Sequence, residues 1–200
     1  MSTVIAAGRS LATYVAVSLY ILVMGPPFLA LAFLTGNPLP LYRVATGGVR
    51  LGLWLSGMTV AIRGREHIQV HGPAVYAVNH TSNVEPPILY LALRQLFPRL
   101  RILYKAELRK LPILVRAFDL AGFVPLERGN REQSLPAIER AADALREGNS
   151  FLIFPEGTRR PVGAPPVYKA GVGMVYVDCG VPCLPVALNS GLFWPRRYAT

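Results

Sequence analysis

The feature that most constrains this chain is a long stretch near its N-terminus that carries no charge. No Asp, Glu, Lys or Arg occurs between Arg9 and Arg43. Residues 11–34 as a single helix would span about 36 Å, which is enough to cross the apolar core of a bilayer. The Gly-Pro-Pro run at residues 25–27 removes backbone donors and should kink or break that helix. The stretch therefore predicts helical structure in contact with a membrane.

Three structures fit this segment. A cleaved signal peptide needs a small-residue cleavage site, and "GNPLPLY" at residues 36–42 is a poor one. A straight single span would have to carry the proline pair. A bent or re-entrant helical hairpin would place the break where polar backbone groups can be satisfied. We expect residues 1–60 to form a retained membrane-anchoring helical segment, and the sequence leaves open whether it spans the bilayer.

The second half of this segment allows two interpretations. Arg43 and Arg50 are seven residues apart and therefore share one face of a helix. Leu53, Trp54 and Met58 could then face lipid, as in an interfacial helix. The alternative is a core helix whose arginines simply face water. The residues alone do not separate these two.

After residue 60 the composition changes, and apolar strand-like runs alternate with helical patterns. Strands are predicted at residues 74–78, 101–106, 123–128, 150–154 and 183–188, and helices at residues 87–96, 111–122, 134–149 and 167–180. This alternation predicts an α/β domain over residues 61–200, with a largely parallel sheet flanked by helices.

The helix at residues 134–149 has the clearest pattern of the chain. Ser134 is predicted to be its N-cap, and Gly148 to end it. Its buried stripe is predicted to be Leu135, Ile138, Ala142 and Leu145.

Polar residues follow successive strands of the predicted sheet. His80 comes just after the first strand, Arg128 ends the third, and Glu156 and Arg159 follow the fourth. Because ligands bind beyond the carboxyl ends of parallel strands, one cleft could hold these residues together with Glu85.

His80 and Glu85 lie in the run "NHTSNVEPP", residues 79–87. An imidazole can accept a proton near neutral pH, and a carboxylate can fix its tautomer and stabilise the imidazolium. Neither a Gly-x-Ser-x-Gly elbow nor a cysteine motif supplies a nucleophile. Direct removal of a proton from a substrate hydroxyl is the simplest use of this pair. The alternative is a polar turn between two apolar elements.

The run "FPEGTRR", residues 154–160, follows the fourth strand. Gly157 would let the backbone approach a ligand closely, Thr158 offers a hydroxyl, and Arg159 can bind a phosphate with two parallel donors. The alternative is a Pro-Gly turn with solvated arginines.

Composition limits the partners. The 200 residues suit one domain, 52% of them are hydrophobic, and the formal net charge is +10. A basic balance favours nucleic acid, lipid headgroups or a phosphorylated substrate. No nucleic-acid-binding module is recognisable, so we expect no nucleic-acid partner. Cys179 and Cys183 make no disulfide framework, and no Cys/His spacing predicts a metal site.

Four runs in the same order resemble the conserved blocks of the glycerolipid acyltransferases, in particular the 1-acylglycerol-3-phosphate (lysophosphatidate) acyltransferase branch. They are "NHTSNVEPP", "GFVPLERGN", "FPEGTR" and "VPCLPVALN", which together extend over residues 79–189. Two residues depart from the family pattern: Glu85 stands where Asp is commoner, and Arg160 stands where Ser often follows. The chain also ends earlier than such domains usually do, so we expect the α/β domain to lack its C-terminal end.

The resemblance implies transfer of an acyl group from a thioester donor, acyl-CoA or acyl-carrier protein, to the free hydroxyl of lysophosphatidate. His80 would be the general base and Glu85 its partner. The resemblance implies an acceptor site made by the following residues: Arg128, Glu156, Gly157, Thr158 and Arg159, with Lys105 and Lys169 as weaker candidates. It implies no cofactor beyond the acyl donor as co-substrate.

Two alternatives stay open from the sequence. The same chemistry could act on another acceptor, such as a lysophospholipid or a lyso-ornithine lipid, or the chain could bind anionic lipid without catalysis. The preference for Arg over Lys, with abundant Ala, Gly and Pro, suggests a GC-rich bacterial genome. We therefore expect a protein of the bacterial cytoplasmic membrane, with its active site facing the cytoplasm.

Overall fold

The structure, a computed structural model, describes residues 3–80, 82–127, 131–159, 165–168 and 178–189. The chain divides into two compact units. The first, the helical unit, combines Met1–His67 with Pro87–Pro98. The second, the sheet unit, combines Ile68–Pro86 with Arg99–Thr200.

The helical unit is built on two antiparallel helices, α1 (Thr3–Thr35) and α2 (Leu39–Ser56). Both Pro26 and Pro27 lie inside α1. Of the predicted kink or break at the proline pair, the break is therefore wrong. The turn lies at residues 36–38 instead. Gly36 takes a left-handed φ of 63°, which costs glycine little, and the Asn37 side chain accepts a hydrogen bond from the Leu39 N–H at 2.9 Å. Local turn chemistry therefore ends the helix at Thr35, well beyond the prolines, which remove backbone donors from α1 but do not end it.

Small residues on α2 let the two helices approach closely. The Tyr20 ring of α1 lies over Gly47 and Gly48, and its hydroxyl donates to the Val44 carbonyl at 3.0 Å. At the far end of the hairpin, the Arg9 guanidinium donates to the Leu55 carbonyl at 3.1 Å. These contacts leave no room for a side chain at Gly47, because an added Cβ would overlap the Tyr20 hydroxyl oxygen.

Replacing Gly47 with alanine is therefore expected to destabilise the hairpin by about 1–3 kcal/mol, since overpacking outweighs the gain in helix propensity. The measurement is thermal unfolding of the purified protein. Gly8→Ala is the matched control, because an added Cβ there meets nothing within 4 Å, and it should leave the melting temperature unchanged or raise it. Adding Tyr20→Phe, which removes the overlapping oxygen, should recover part of the loss. Equal melting of all variants would contradict the close packing.

Most of the apolar surface of α1 is exposed. The helix from Val4 to Thr35 is long and apolar enough to cross a membrane by length and composition, with a mean hydropathy of 2.1. Its large side chains point outward, among them Leu22 at 69% and Leu34 at 83% exposure. A contiguous apolar surface of this kind marks a membrane or protein contact, which agrees with the anchoring role predicted from the charge-free stretch.

The segment Pro87–Pro98 belongs to the helical unit through an aromatic cluster. Tyr42 of α2 stacks on Tyr90 with ring centroids 5.8 Å apart, and both rings contact Phe97 at about 4.5 Å. Burial raises the pKa of the Tyr90 hydroxyl, which stays protonated and donates to the Tyr42 carbonyl at 3.3 Å.

The sheet unit contains five parallel strands in the order β3-β2-β4-β1-β5. The strands are β1 (Val75–Val78), β2 (Leu100–Lys105), β3 (Val124–Leu126), β4 (Ser150–Ile153) and β5 (Cys183–Val186). The later helices of the chain are α3 (Glu85–Ala92), α4 (Pro112–Leu120) and α5 (Arg131–Arg146). The predicted α/β class and parallel sheet are confirmed, with each strand near its predicted position. The helix predicted at residues 167–180 lies largely outside the described residues.

The core of the sheet unit lies where α5 packs on β3 and β4. Ala137, Ala141 and Leu145 are buried there against Val75 and Phe151. Two details of the predicted helix are wrong. The helix begins at Arg131, so Ser134 lies within it rather than at its cap, and Leu135 is 45% exposed. Ala142 and Leu145 of the predicted stripe are buried, and Ile138 is partly buried. The small residues Ala137 and Ala141 complete the buried face and allow the helix to approach the sheet.

Candidate active site

The carboxyl ends of β1 and β4 meet at the centre of the sheet. The two strands are neighbours, with Val75 opposite Phe151 and Ala77 opposite Ile153. His80 follows β1 by two residues and Glu156 follows β4 by three. This adjacency brings together parts of two sequence runs that lie about 75 residues apart in the chain, as the strand-end argument predicted.

His80 and Glu85 form a short, buried pair. The His80 Nδ1 atom lies 2.7 Å from the Glu85 Oε2 atom, and the side chains are 16% and 0% exposed. Glu85 is the first residue of α3, where the helix dipole favours a negative charge, and the two prolines that follow suit the first turn of a helix. A buried carboxylate on Nδ1 assigns the proton to that nitrogen. The Nε2 atom then presents its lone pair, and the structure gives it no partner among the described residues.

The Phe154 side chain backs the imidazole. Its ring centroid lies 4.2 Å from that of His80 at an angle of 31°. With Glu85 on one nitrogen and an aromatic ring against one face, the imidazole has a defined orientation.

The Glu156 side chain contacts the backbone of His80. Its carboxylate accepts the His80 backbone N–H at 3.0 Å, and the residue is only 8% exposed. The turn that allows this is closed by the Gly157 N–H, which donates to the Phe154 carbonyl at 2.9 Å. Gly157 has a φ of 70°, a conformation that other residues adopt at a cost. Glu156 thus fixes the loop that carries His80.

Asn79 is a site residue that the sequence analysis missed. Its amide donates to the Leu188 carbonyl at 2.9 Å and accepts the Leu188 N–H at 2.7 Å. The side chain therefore continues the β1–β5 pairing beyond the strand ends and holds the residue before His80. The signals in the sequence were its position next to His80 and its place at the start of the run "NHTSNVEPP". Its partner lies 109 residues away.

The structure also gives the positions of some of the other predicted site residues. The Thr158 hydroxyl is exposed and donates to the Arg159 carbonyl at 3.2 Å, and Arg159 is half-buried. Lys105, at the end of β2, forms an ion pair with Glu107 at 2.8 Å. Arg128 and Lys169 lie outside the described residues, so their predicted roles stay predictions.

A parallel α/β sheet with a carboxylate-oriented histidine at its carboxyl edge is a site suited to removing a proton from a hydroxyl group. The chain belongs to the acyltransferase family, since the family model described as Acyltransferase matches residues 59–189, more than half of the chain. The resemblance drawn from the four sequence runs is therefore confirmed.

Named relatives make the likeness more specific. The chain is 32% identical over 152 residues to a 1-acyl-sn-glycerol-3-phosphate acyltransferase of Pseudomonas aeruginosa, which covers 74% of this chain and 57% of that protein. It is 29% identical over 150 residues to the enzyme of the same name from Borreliella burgdorferi, covering 74% and 59%. The chain thus spans less than two thirds of the length of these relatives.

A solved structure has the same fold. The crystal structure of the 1-acyl-sn-glycerophosphate (LPA) acyltransferase from Thermotoga maritima matches with a TM-score of 0.75 and 25% sequence identity, covering 92% of this chain and 74% of that one. The match extends over most of the chain.

Proposed function

We propose that this chain transfers a fatty acyl group from a thioester donor to the free hydroxyl of lysophosphatidate, giving phosphatidate. The observation that carries the proposal is the His80 Nδ1–Glu85 Oε2 pair, 2.7 Å long with the carboxylate fully buried, at the carboxyl edge of a parallel sheet. The names of the relatives from Pseudomonas aeruginosa and Borreliella burgdorferi support this acceptor.

The proposed step uses His80 as the general base. The Nε2 atom takes the proton of the acceptor hydroxyl while that oxygen attacks the thioester carbonyl. Glu85 stabilises the imidazolium that forms. When the tetrahedral intermediate collapses, the carbon–sulfur bond breaks and the imidazolium returns its proton to the leaving thiolate. The thiol of CoA or acyl-carrier protein is released, and His80 is neutral again for the next cycle.

The proposed acceptor site lies in the loop after β4. Arg159 would bind the acceptor phosphate with two donors, and the Gly157 turn would let the backbone approach the ligand. Arg128, Lys105 and Lys169 are further proposed phosphate contacts. Glu156 is proposed to act by holding the His80 backbone, because its carboxylate is already engaged with that N–H. No cofactor other than the acyl donor is proposed.

The α1–α2 hairpin is proposed to hold the enzyme on the bacterial cytoplasmic membrane, with the active site facing the cytoplasm. The exposed apolar surface of α1 and its mean hydropathy of 2.1 support this location, because both substrate and product carry acyl chains. Release of the protein from washed membranes by high salt alone would contradict it.

A panel of acceptors, assayed with acyl-CoA and with acyl-carrier protein as donors, tests the proposed substrate. We expect lysophosphatidate to be the preferred acceptor over zwitterionic lysophospholipids and lyso-ornithine lipid. Arg159→Ala should raise the KM for lysophosphatidate by about tenfold or more, and that for a zwitterionic acceptor much less, because a phosphate contact is lost. An equal effect on both acceptors would contradict the phosphate role, and a complete lack of transfer would favour lipid binding without catalysis.

A further inference from the structure

The helical unit carries a strongly basic charge balance. Residues 1–67 and 87–98 contain six arginines, no lysine and a single carboxylate residue, Glu66. One carboxylate can offset only one of these positive charges, and Glu66 lies 3.8 Å from the His67 ring. Arginines next to an apolar helix need an anionic partner or water.

Two of these arginines line a cleft of about 390 Å³ within the helical unit. They are Arg65, in a short turn after α2, and Arg94, just after α3. Both are exposed, and among the described residues neither guanidinium has a hydrogen-bond or ion-pair partner. Thr46 and Gln95 add polar atoms to the same lining. The Thr46 hydroxyl donates to the Tyr42 carbonyl at 2.7 Å, so the two guanidinium groups are the charged donors that the cleft offers to an anion.

The rest of the cleft wall is apolar. Leu39, Ala92 and Phe97 line it, and Leu39 is the first residue of α2, directly after the hairpin turn. A small inorganic anion would leave this apolar wall in water. An occupant with a charged head and an apolar tail satisfies both parts of the lining.

The exposed face of α2 points to the same occupant. Leu39, Arg43, Thr46 and Arg50 follow one another at helical spacing and fall within an arc of about 60°. Gly48 and Gly52, which face α1, lie on the opposite side of the helix. Arg43 and Arg50 are both exposed. The arginines flank Thr46, which lines the cleft. The interfacial interpretation of these two arginines is thus the one that this placement favours.

We propose that this cleft binds the headgroup of an anionic membrane phospholipid, with Arg65 and Arg94 on the phosphate and an acyl chain along Leu39, Ala92 and Phe97. Arg43 and Arg50 hold the surrounding α2 face at the headgroup layer. The lining shares no residue with the His80–Glu85 group. The proposal concerns a bound bilayer lipid, not the acyl acceptor, and its test needs no turnover.

The test is lipid binding by the full chain, purified in detergent and measured by native mass spectrometry with phosphatidylglycerol and phosphatidylcholine. Wild type is expected to retain one phosphatidylglycerol in preference to phosphatidylcholine. Arg65→Gln/Arg94→Gln should lower this preference by about tenfold or more. The matched control is Arg116→Gln/Arg140→Gln, which removes the same charge at two exposed arginines of the sheet unit. The control should keep the preference within about twofold, because distant surface charges are screened.

Three results would overturn the proposal. An equal loss in the cleft and control variants would show diffuse charge attraction. An unchanged preference in the cleft variant would show that the lipid binds elsewhere. A cleft variant that keeps its lipid preference but raises the KM for acyl-carrier protein would assign the cleft to that acidic protein instead. Transfer activity in phosphatidylcholine vesicles should be the same in the cleft variant as in wild type. If the proposed acyl transfer is wrong, no variant will show transfer activity, but the measured lipid preference will be unaffected. The two proposals can therefore fail separately.

Discussion

Replacing His80 with alanine is expected to lower kcat for acyl transfer by about 10²- to 10⁴-fold, the range typical for loss of a positioned general base. The Nε2 atom is the only group in the described site with a free lone pair oriented by a buried partner. The measurement is transfer of a labelled acyl group to lysophosphatidate at saturating donor. Because the interaction is proposed to act on the transition state, the KM for the acceptor should change far less than kcat.

The His80 variant has a matched control in the same unit. His71 is exposed, and His71→Ala removes an imidazole without touching the site, so it should keep full activity. Both variants should melt within a few degrees of wild type. Undiminished kcat in His80→Ala, with the protein folded, would eliminate the proposed base.

Removing the charge of Glu85 is expected to have an effect as large as that of removing His80. Glu85→Gln keeps the side-chain volume but removes the charge that stabilises the imidazolium, and its amide can impose the wrong tautomer on His80. We expect kcat to fall by about 10²- to 10⁴-fold, by analogy with loss of the carboxylate in other base–carboxylate pairs. The measurements are the same transfer assay and the dependence of kcat on pH. If Glu85 had a purely structural role, its replacement would leave the shape of the pH profile unchanged.

The variant Glu85→Asp tests the length of the side chain at this position while keeping its negative charge. The family resemblance raised the question whether a glutamate orients the imidazole as well as the commoner aspartate. The 2.7 Å contact and the complete burial of Glu85 show that the longer side chain reaches the ring here. Shortening it by one methylene should open that contact and lower kcat by about tenfold, less than Glu85→Gln does, because the charge remains. An aspartate variant worse than the glutamine variant would contradict the charge argument.

Several arginines that the sequence presents as free cations have structural roles. Arg99 donates to the Gly148 and Val70 carbonyls, and Arg101 donates to the Ala121 carbonyl and the Asn149 side chain. Arg9 closes the α1–α2 hairpin on the Leu55 carbonyl. The net charge of +10 therefore overstates the number of cations ready to meet an anion. Which arginines are free is a tertiary property, because their partners are carbonyls far away in sequence.

Two predictions about where helices begin or end were wrong, because more than one local sequence signal was present. The proline pair in α1 was the stronger helix-breaking signal by composition, yet the helix ends at Gly36–Pro38, where a left-handed glycine and an Asn37 side chain satisfy the turn. Similarly, Ser134 has the chemistry of a cap but lies inside α5. In both cases the sequence contains several local signals for a helix end and does not rank them, so helix boundaries are predicted less reliably than the helices themselves.

The sequence by itself determined the apolar N-terminal element, the alternation that forms a parallel sheet, and the strand ends at which His80 and Glu156 lie. These follow from hydrophobic periodicity and from the fact that parallel strands end on one edge. Only the tertiary structure decided that Glu156 holds the His80 backbone, that Asn79 is joined to Leu188, and which arginines remain unpaired. Those contacts join residues 76 and 109 positions apart. Their energy depends on distances of a few ångströms between side chains, and these distances cannot be read from the sequence.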